Sequence, residues 1–432
     1  MAWNGYYEFD GTEVINATRT ETYARNLGFT ALRPAYRNDA LPLMLGETYG
    51  SPLGDDAPWL DPDQWESQEF LGAYPLDVVG LEDSTVTASV VESVLDGGVV
   101  RRPRRASRSV VFSAMLLGMS EAAVEYGLRW LRLALQGAPC GTSDNCRGST
   151  MCYLASEPAL PPGANEPREC LDPLLRSLLK VTVTTGPTIT SKQELEAGGC
   201  VWTVSWTVVA GWPYEFMVEK PIVQGFTTGF DGFYVNPNYP ADPSWFDNTG
   251  ATTDEYPCFT RGYDPLFDPA CPLVNAPPSL PSVPVACFSF PQQFTRMFFT
   301  IPQAEIPLWG QAVPKIEFIM GLQETRNLRL RFYADVMETG DPNADPCSYC
   351  GDIVFSYLPA GATLIFDGVE RAVTALTPGN PPRRADAVVF KSDGTPFEWP
   401  ELSCGFGYLV TVDVPVGQPI PQMNLSLTGK VA

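Results

Sequence analysis

Two adjacent segments decide the fold: SVVFSAMLLG at residues 109–118 and SEAAVEYGLRWLRLALQG at residues 120–137. The first is rich in β-branched and large apolar residues, which predicts a strand buried on both faces. In the second, apolar residues recur at helical spacing, at Val124, Leu128, Leu131 and Leu135. We therefore predict one main helix at 120–137, with Ser120 as its N-cap, that covers one face of a β-sheet.

A basic run lies directly before this strand. Five cations fall within eight residues, at Arg101, Arg102, Arg104, Arg105 and Arg108, although the whole chain has a net charge of −22. That charge opposes nucleic-acid binding as the main activity, because neutralising phosphates requires clustered Lys and Arg. We interpret the run as a solvated edge or a candidate subunit interface, with contact to nucleic acid as the alternative.

The length, the Gly and Pro content and the alternating patterns of the rest of the chain indicate two β-units. Its 432 residues exceed one ordinary core, and 37 Gly with 42 Pro indicate many turns. Near residue 205, Trp202, Val204, Trp206 and Val208 alternate with Thr and Ser, which predicts a strand with one buried face. We predict an all-β protein with one main helix, made of an N-terminal β-sandwich (1–213), a Pro-rich connector (214–292) and a C-terminal β-sandwich (293–432).

Two further patterns make local predictions. The Asp10-Gly11 pair between apolar segments predicts a hairpin near the N-terminus. In the last unit, Leu328, Leu330 and Phe332 alternate with Arg329, Arg331 and Tyr333, which predicts a half-exposed strand. No apolar run approaches the roughly 18 residues that span a membrane, and the start MAWNG does not resemble a signal peptide. We expect a soluble chain that is synthesised in a cytoplasm.

Histidine is absent from the sequence, which excludes Ser-His-Asp and Cys-His triads, HExxH zinc sites and imidazole acid–base chemistry. Carboxylate chemistry remains open. The acidic loop between residues 50 and 82 lacks the glycine that an EF-hand needs at position six, so a solvated loop is favoured over a calcium site. We therefore name no catalytic or metal-binding residue and expect no cofactor.

The chain has eleven cysteines in loop-like surroundings. Disulfides formed outside a reducing compartment, free thiols and a metal site all remain open, although the spacing of the first group is looser than that of zinc knuckles. The candidate disulfide cysteines, whose pairing the sequence does not define, are Cys140, Cys146, Cys152, Cys170, Cys347 and Cys350.

Several segments resemble the distal tail proteins, also called minor tail proteins, of siphophages that infect actinobacteria. The similar segments are FDGTEVINATRTETYARNLG (9–28), the strand and helix at 109–137 with the cysteine-bearing loop after them, CVWTVSWTVVAGWPYEF (200–216), DPLFDPACP (264–272), IPLWGQAVPKIEFIMG (306–321), LRLRFYADV (328–336) and ADAVVFKSDGTPFEW (385–399). They extend over nearly the whole chain but contain no catalytic signature.

The resemblance implies a structural virion protein at the tail tip of a long, non-contractile tail. Six N-terminal β-sandwiches would form a ring around the tail channel, and a galectin-like or carbohydrate-module-like sandwich would lie outside it. The ring would join the tail-tube protein to the tail-tip hub protein and leave a channel for the tape-measure protein and for DNA in transit. A closed ring needs head-to-tail contacts, which pairing between strand edges would supply. An acidic lumen would let DNA pass without sticking.

One feature departs from the galectin-like picture. Galectins use a histidine in sugar recognition, and this chain has none. Trp309, Tyr333, Tyr357 and Trp399 could stack on a sugar, but core packing is favoured for them. A monomeric adhesin that binds host-surface glycan and a glycoside hydrolase with two carboxylates remain alternatives, although no spacing identifies a catalytic pair. We expect a structural protein and not an enzyme.

Overall fold

The computed structural model describes residues 2–29, 36–83, 86–92, 98–136, 148–161, 167–195, 198–226, 233–235, 294–335, 349–391, 394–403, 405–415 and 418–431. The chain divides into two compact units, Met1–Val218 with Val431–Ala432, and Glu219–Lys430. Strands dominate both units, which confirms the predicted all-β, sandwich-like fold. Among the described residues, no helix is long and apolar enough to cross a membrane.

The described part of unit 1 contains twelve strands, four α-helices and one short 3-10 helix. The strands are β1 (Trp3–Phe9), β2 (Thr12–Asn16), β3 (Phe70–Val79), β4 (Val86–Thr87), β5 (Val90–Glu92), β6 (Gly98–Val100), β7 (Arg104–Arg105), β8 (Arg108–Gly118), β9 (Ser149–Leu154), β10 (Leu175–Glu194), β11 (Cys200–Ala210) and β12 (Glu215–Phe216). The helices are α1 (Ala17–Asn26), α2 (Ala40–Leu45), α3 (Trp65–Glu69) and α4 (Glu121–Ala134), and the 3-10 helix is Pro167–Cys170.

The predicted hairpin near the N-terminus is confirmed. β1 and β2 are antiparallel, with Phe9 opposite Thr12, and Asp10 and Gly11 form the turn with positive φ angles of 48° and 76°. Asp and Gly tolerate the left-handed region better than other residues, so the dipeptide fixes the turn. The other side of β1 pairs with β9, and β9 pairs with the first part of β10.

A four-stranded antiparallel sheet in the order β3–β8–β11–β10 forms the centre of unit 1. α4 packs on one face of this sheet, and the Ser120 side chain accepts a hydrogen bond from the Ala123 N–H, as predicted for the N-cap. Under the helix, the rings of Phe112 and Trp206 stack with centroids 5.1 Å apart and planes 6° apart. These side chains are buried because the apolar face of the sheet and the apolar stripe of the helix exclude water together.

One prediction for unit 1 is wrong, and one helix was not predicted. β8 is not buried on both faces, because Ser109 and Val111 are exposed while Val110 and Phe112 are buried. The main helix has a companion, α1, which the apolar periodicity did not reveal. Its buried residues include the polar side chain of Arg19, whose Nε lies 2.8 Å from Glu13 Oε1. An ion pair makes that burial tolerable, so the helix needs no apolar stripe at this position.

The described part of unit 2 contains thirteen strands and two short 3-10 helices. The strands are β13 (Lys220–Phe226), β14 (Phe233–Val235), β15 (Phe294–Ile301), β16 (Gln311–Ile319), β17 (Thr325–Asp335), β18 (Tyr349–Leu358), β19 (Thr363–Asp367), β20 (Ala372–Leu376), β21 (Arg383–Arg384), β22 (Val389–Phe390), β23 (Leu402–Ser403), β24 (Gly407–Pro415) and β25 (Gln422–Val431), and the 3-10 helices are Gln303–Glu305 and Asp386–Val388.

These strands form two antiparallel layers with one core between them. One layer has the order β14–β15–β24–β17–β18–β22, and in the other β16 pairs with β25 and β19. Rings from the two layers meet in the core, where Phe318 on β16 and Phe355 on β18 make an edge-on contact with centroids 4.9 Å apart. Buried apolar side chains from both sheets are the driving force for a sandwich.

A strand is present around residue 330 as predicted, but the prediction that one of its faces is exposed is wrong. Leu328, Leu330 and Phe332 are fully buried as expected, but Arg331 and Tyr333 are also buried on the opposite face. Arg331 Nε lies 3.0 Å from Asp352 Oδ1 on β18, and both side chains are buried. The opposite charge raises the pKa of Arg331 although burial acts to lower it.

Most of the predicted connector, 214–292, lies outside the described residues. Its described beginning is not an isolated extended linker, because it contains β12 and β13. β12 pairs with β10, and β13 pairs with β25 despite the proline at position 221. Proline density indicates where regular ladders are interrupted, but it does not prevent short edge strands such as these.

Candidate subunit interface

Among the described residues of unit 1, the longest open strand edge is the outer edge of β10. β10 pairs with β11 from Val181 to Glu194, and on its other side β9 pairs only between Leu175 and Val181. From residue 182 to residue 194, no strand of the described chain pairs with that other side. We call this stretch the β10 edge. Unpaired backbone N–H and C=O groups in a row are a template for pairing with another strand.

The same sheet is also open at its opposite end, at β3. The Thr20 hydroxyl of α1 donates a hydrogen bond of 3.2 Å to the Ala73 carbonyl, so α1 covers the first half of the strand. From Pro75 to Val79, no strand of the described residues pairs with the outer side of β3. We call this stretch the β3 edge. The sheet therefore has two different open edges, which is the requirement for a head-to-tail contact.

The face of this sheet that points away from α4 is polar and has little charge. The strand registers align Asp77, Ser113, Ser205 and Thr188 across the four strands. The neighbouring row consists of Val79, Val111, Thr207 and Thr185. Hydroxyl groups therefore dominate the face, and Asp77 is the one charged side chain in these two rows.

The basic run lies in a narrow two-stranded ribbon, which we call the arm. β4 pairs with β7, and β5 pairs with β6. Arg101, Arg102, Arg104 and Arg105 are all exposed, which agrees with a solvated edge or an interface. The Arg105 guanidinium lies 5.6 Å from the ring centroid of Tyr214.

Arg108 does not belong to this exposed set. It is 4% exposed, Nη1 lies 2.6 Å from Glu215 Oε1, and the same nitrogen donates to the Leu81 carbonyl. Its assignment as an interface residue is therefore corrected to a buried structural role. Arg108 is the first residue of β8 and is opposite Ala210, so its side chain enters the buried side of the sheet.

The described cysteines are dispersed. Cys152, Cys200 and Cys350 are free thiols, and Cys152 Sγ lies 3.3 Å from Ser177 Oγ. Cys170 ends the 3-10 helix of unit 1 and is half-buried. Disulfides at Cys152 and Cys350 are therefore not formed in this structure, while Cys140, Cys146 and Cys347 lie outside the described residues. No group of three or more His, Cys, Asp or Glu within the described ranges is arranged to hold a metal ion.

Unit 2 has an open cleft of about 550 Å³ that is lined by aromatic and charged side chains. Phe397 and Trp399 form part of its wall, and the Trp399 ring packs on Phe366 with centroids 4.5 Å apart. Arg384 lies at the rim, with Nε 2.7 Å from Asp386 Oδ2. The cleft has the size and the mixed lining of a ligand site.

The other aromatic candidates do not gather at this cleft. Tyr333 is buried, as core packing predicts, whereas Trp309 is 90% exposed and Tyr357 is 37% exposed. The prediction of core packing is therefore wrong for Trp309, which follows Leu308 in an exposed turn. Alternation within a strand predicts burial, but a tryptophan in a turn has no such periodicity to place it.

Sequence reasoning did not identify the two sheet edges or the arm. Threonine-rich alternation in β10 indicated a strand, but which of its sides lacks a partner depends on the whole topology. The sequence did contain a signal that could have indicated the arm. No Lys or Arg occurs between Arg37 and Arg101, and the apolar pair Val99-Val100 immediately precedes the basic run.

Comparisons with known proteins give one structural similarity to report. The chain resembles the Dit protein (gp 19.1) of SPP1, described as a paradigm of the hub adsorption apparatus in phages that infect Gram-positive bacteria. The TM-score is 0.40 and the identity 9%, with 85% of this chain and 96% of that chain covered. No protein-family model matches, and no curated protein matches in sequence.

Proposed function

We propose that this chain is a structural protein of a long, non-contractile phage tail that forms a hexameric ring at the distal end of the tail tube. In this role it joins the tube protein to the tail-tip hub, and the tape-measure protein and DNA pass through the ring. The proposal is for a scaffold without catalytic activity. Its support is the motif resemblance of the sequence and the geometry of the central sheet in unit 1.

The observation that carries the proposal is that the sheet β3–β8–β11–β10 has two unlike open edges. When the β10 edge of one copy pairs with the β3 edge of the next, every copy makes the same two contacts. A closed ring forms when the rotation between neighbouring copies is 360° divided by a whole number. Closure also removes the exposed edges that would otherwise promote uncontrolled aggregation. The number six comes from the family resemblance.

In such a ring, the hydroxyl-rich face of the sheet is the suitable lining for the channel, because α4 covers the opposite face. This lining differs from the acidic lumen that the net charge of the chain led us to expect. A lining of Ser and Thr with Asp77 offers no cluster of cations to hold phosphates, so it meets the same need for passage without adhesion. The acidic charge then lies mainly on other surfaces of the ring.

Negative-stain microscopy of the purified chain, combined with its mass from light scattering, tests the ring. We expect particles with six-fold symmetry and a central hole. A chain that remains monomeric at high concentration, both alone and with purified tail-tube protein, would contradict the proposal.

A matched pair of proline variants tests the β10 edge itself. Gln193 and Glu194 are both exposed, and their residues face Val201 and Cys200 of β11 in a regular part of the ladder. Successive N–H groups of a strand point to opposite sides, so one proline removes a bond to β11 and the other removes a donor on the open edge. The two variants are Gln193→Pro and Glu194→Pro. We expect one of them to lose stability, and the other to stay folded but to lose ring assembly.

A second candidate function, recognition of host-surface glycan, is supported by the cleft of unit 2. A partly exposed tryptophan beside an arginine and a carboxylate offers both a stacking surface and hydrogen-bonding groups for a sugar. Binding of host cell-wall glycan fragments, followed by tryptophan fluorescence, tests it. Arg384→Ala should weaken binding without unfolding the protein, because the Arg384 side chain is 64% exposed. Unchanged binding in this variant would exclude the cleft.

A further inference from the structure

The arm presents exposed apolar and basic side chains, of which Arg105 lies over the ring of Tyr214. Four valines lie on it, and they are between 46% and 65% exposed: Val86, Val90, Val91 and Val100. The arginines at 101, 102, 104 and 105 are exposed beside them, and no carboxylate of the described residues forms an ion pair with any of the four. A two-stranded ribbon without a core of its own is marginally stable in water, so this surface is suited to contact with another molecule.

A surface with the complementary properties lies in the same unit, between Gly50 and Glu69. We call it the acidic segment. It contains six acidic residues and no Lys or Arg, and its exposed apolar side chains are Leu53 and Trp65, each 55% exposed. In the part of the chain that the structure describes, none of its carboxylates forms an ion pair, so the segment is an unneutralised negative surface with two apolar groups on it.

The acidic segment is held in a defined conformation. Ser67 donates a hydrogen bond of 2.7 Å to the Asp61 carbonyl, and the Asp63 N–H donates to Asp61 Oδ1 at 3.1 Å. The Trp59 indole N–H donates to the Phe70 carbonyl at 3.0 Å, which fixes the segment to β3. A partner therefore meets a preorganised surface, and binding requires little additional ordering of this side.

We propose that the arm of one copy docks on the acidic segment of a second copy of this chain. The arginines face the carboxylates, and the valines cover Leu53 and Trp65. Charge complementarity favours this occupant, since the chain has a net charge of −22, its one concentrated basic run lies on the arm, and one copy carries both surfaces. Because the two surfaces differ, the contact is head-to-tail, and it adds to the sheet-edge contact of the proposed ring, on which this inference builds.

Charge reversal in two separate variants tests the contact. The arm variant is Arg102→Glu with Arg104→Glu, and the segment variant is Asp63→Lys with Glu66→Lys. None of these side chains forms an ion pair or a side-chain hydrogen bond with another described residue, so both variants should fold as the wild type does. Asp55, Asp61 and Glu69 are left unchanged, because their carboxylates accept hydrogen bonds within the fold.

Sedimentation velocity at about 50 mM salt, where the Debye length exceeds 10 Å, gives the association constant. We expect each variant alone to associate at least about tenfold more weakly than wild type, because two attractive ion pairs become repulsive. An equimolar mixture of the two variants should regain association, since each variant's changed surface then meets a complementary one. Arg168→Glu with Arg383→Glu changes the net charge equally on exposed residues elsewhere and should associate as wild type does.

The outcomes separate this inference from the proposed ring. Wild-type association in the arm variant, or a mixture that stays dissociated, would overturn the docking of the arm on the acidic segment while six-fold particles still support the ring. Restored association in the mixture without closed six-fold particles would support the docking and contradict the ring. A wild-type chain that shows no association at low salt would overturn a second copy as the partner.

Discussion

Gly127 of α4 lies directly against the ring of Phe70, the first residue of β3, so a Cβ atom at position 127 would overlap that ring. The close approach allows the helix to pack tightly on the central sheet. A glycine inside a helix ordinarily costs about 1 kcal/mol relative to alanine. Here it is retained at a position where the packing leaves no room for a side chain.

We therefore predict that Gly127→Ala lowers the free energy of unfolding by about 1–3 kcal/mol, because overpacking outweighs the gain in helix propensity. Urea denaturation measures the change. Gly321→Ala, at a position where a Cβ would meet no atom within 4 Å, is the matched control and should be neutral or slightly stabilising. A more stable Gly127→Ala protein would contradict the close packing of α4 on Phe70.

Two arginines of one basic run should respond differently to the same substitution. Arg108→Met leaves Glu215 and the Leu81 carbonyl without their buried donor, and we expect a loss of about 2–4 kcal/mol in unfolding free energy. Arg104→Met on the exposed arm should change stability by less than about 0.5 kcal/mol. Equal effects in thermal or urea unfolding would show that Arg108 is not distinct from the rest of the run.

The buried ion pair of unit 2 gives a third prediction. Asp352→Asn removes the ion-pair partner of the buried Arg331, and we expect a loss of up to about 3–5 kcal/mol, with the buried carboxylate of Asp413 left to balance part of the charge. Glu324→Gln breaks the exposed pair with Arg326 and should cost less than about 1 kcal/mol. Denaturant titrations of both variants provide the comparison, and a small effect at Asp352 would contradict the burial of the pair.

Thiol labelling tests the cysteines. Cys350 is a free thiol on an exposed residue, and its Sγ donates a hydrogen bond of 3.2 Å to the Phe332 carbonyl. Cys200 is free and lies on a buried residue, so we expect iodoacetamide to modify Cys350 first in the folded protein. Burial of the sulfur raises the pKa of the Cys350 thiol. The labelling rate of Cys350 should therefore still be increasing with pH at pH 9, because only the thiolate reacts. Peptide mass spectrometry resolves the sites, and an unlabelled Cys350 that becomes reactive only after reduction would contradict the free thiol.

Local chemistry near the central sheet made several features predictable. Ser120 caps α4, Asp10 and Gly11 form a tight turn, and alternating residues from Trp202 to Val208 divide into a buried and a partly exposed face. Each of these depends on neighbours within a few residues, so the pattern in the sequence contains the information. The four-stranded order could not be derived in this way, since pairing joins residues that are far apart in the chain.

Arg108 and Arg331 illustrate what sequence alone does not decide. Each belongs to a pattern that indicated exposure, and each is buried because a distant carboxylate, Glu215 or Asp352, lies beside it in the fold. Charge and periodicity predict the average behaviour of a residue, whereas an ion pair between strands depends on which strands become neighbours.

By itself, the sequence determined that this is an all-β chain with one main helix, without histidine chemistry, with a net charge of −22 and with one concentrated basic run. Only the tertiary structure decided which strand edges stay open, which arginines reach solvent, and that the charges of the acidic segment and of the basic arm have no ion-pair partner in the described chain. The physical reason is that composition and periodicity act locally, while an open edge or an unpartnered surface is defined by everything that packs, or fails to pack, against it.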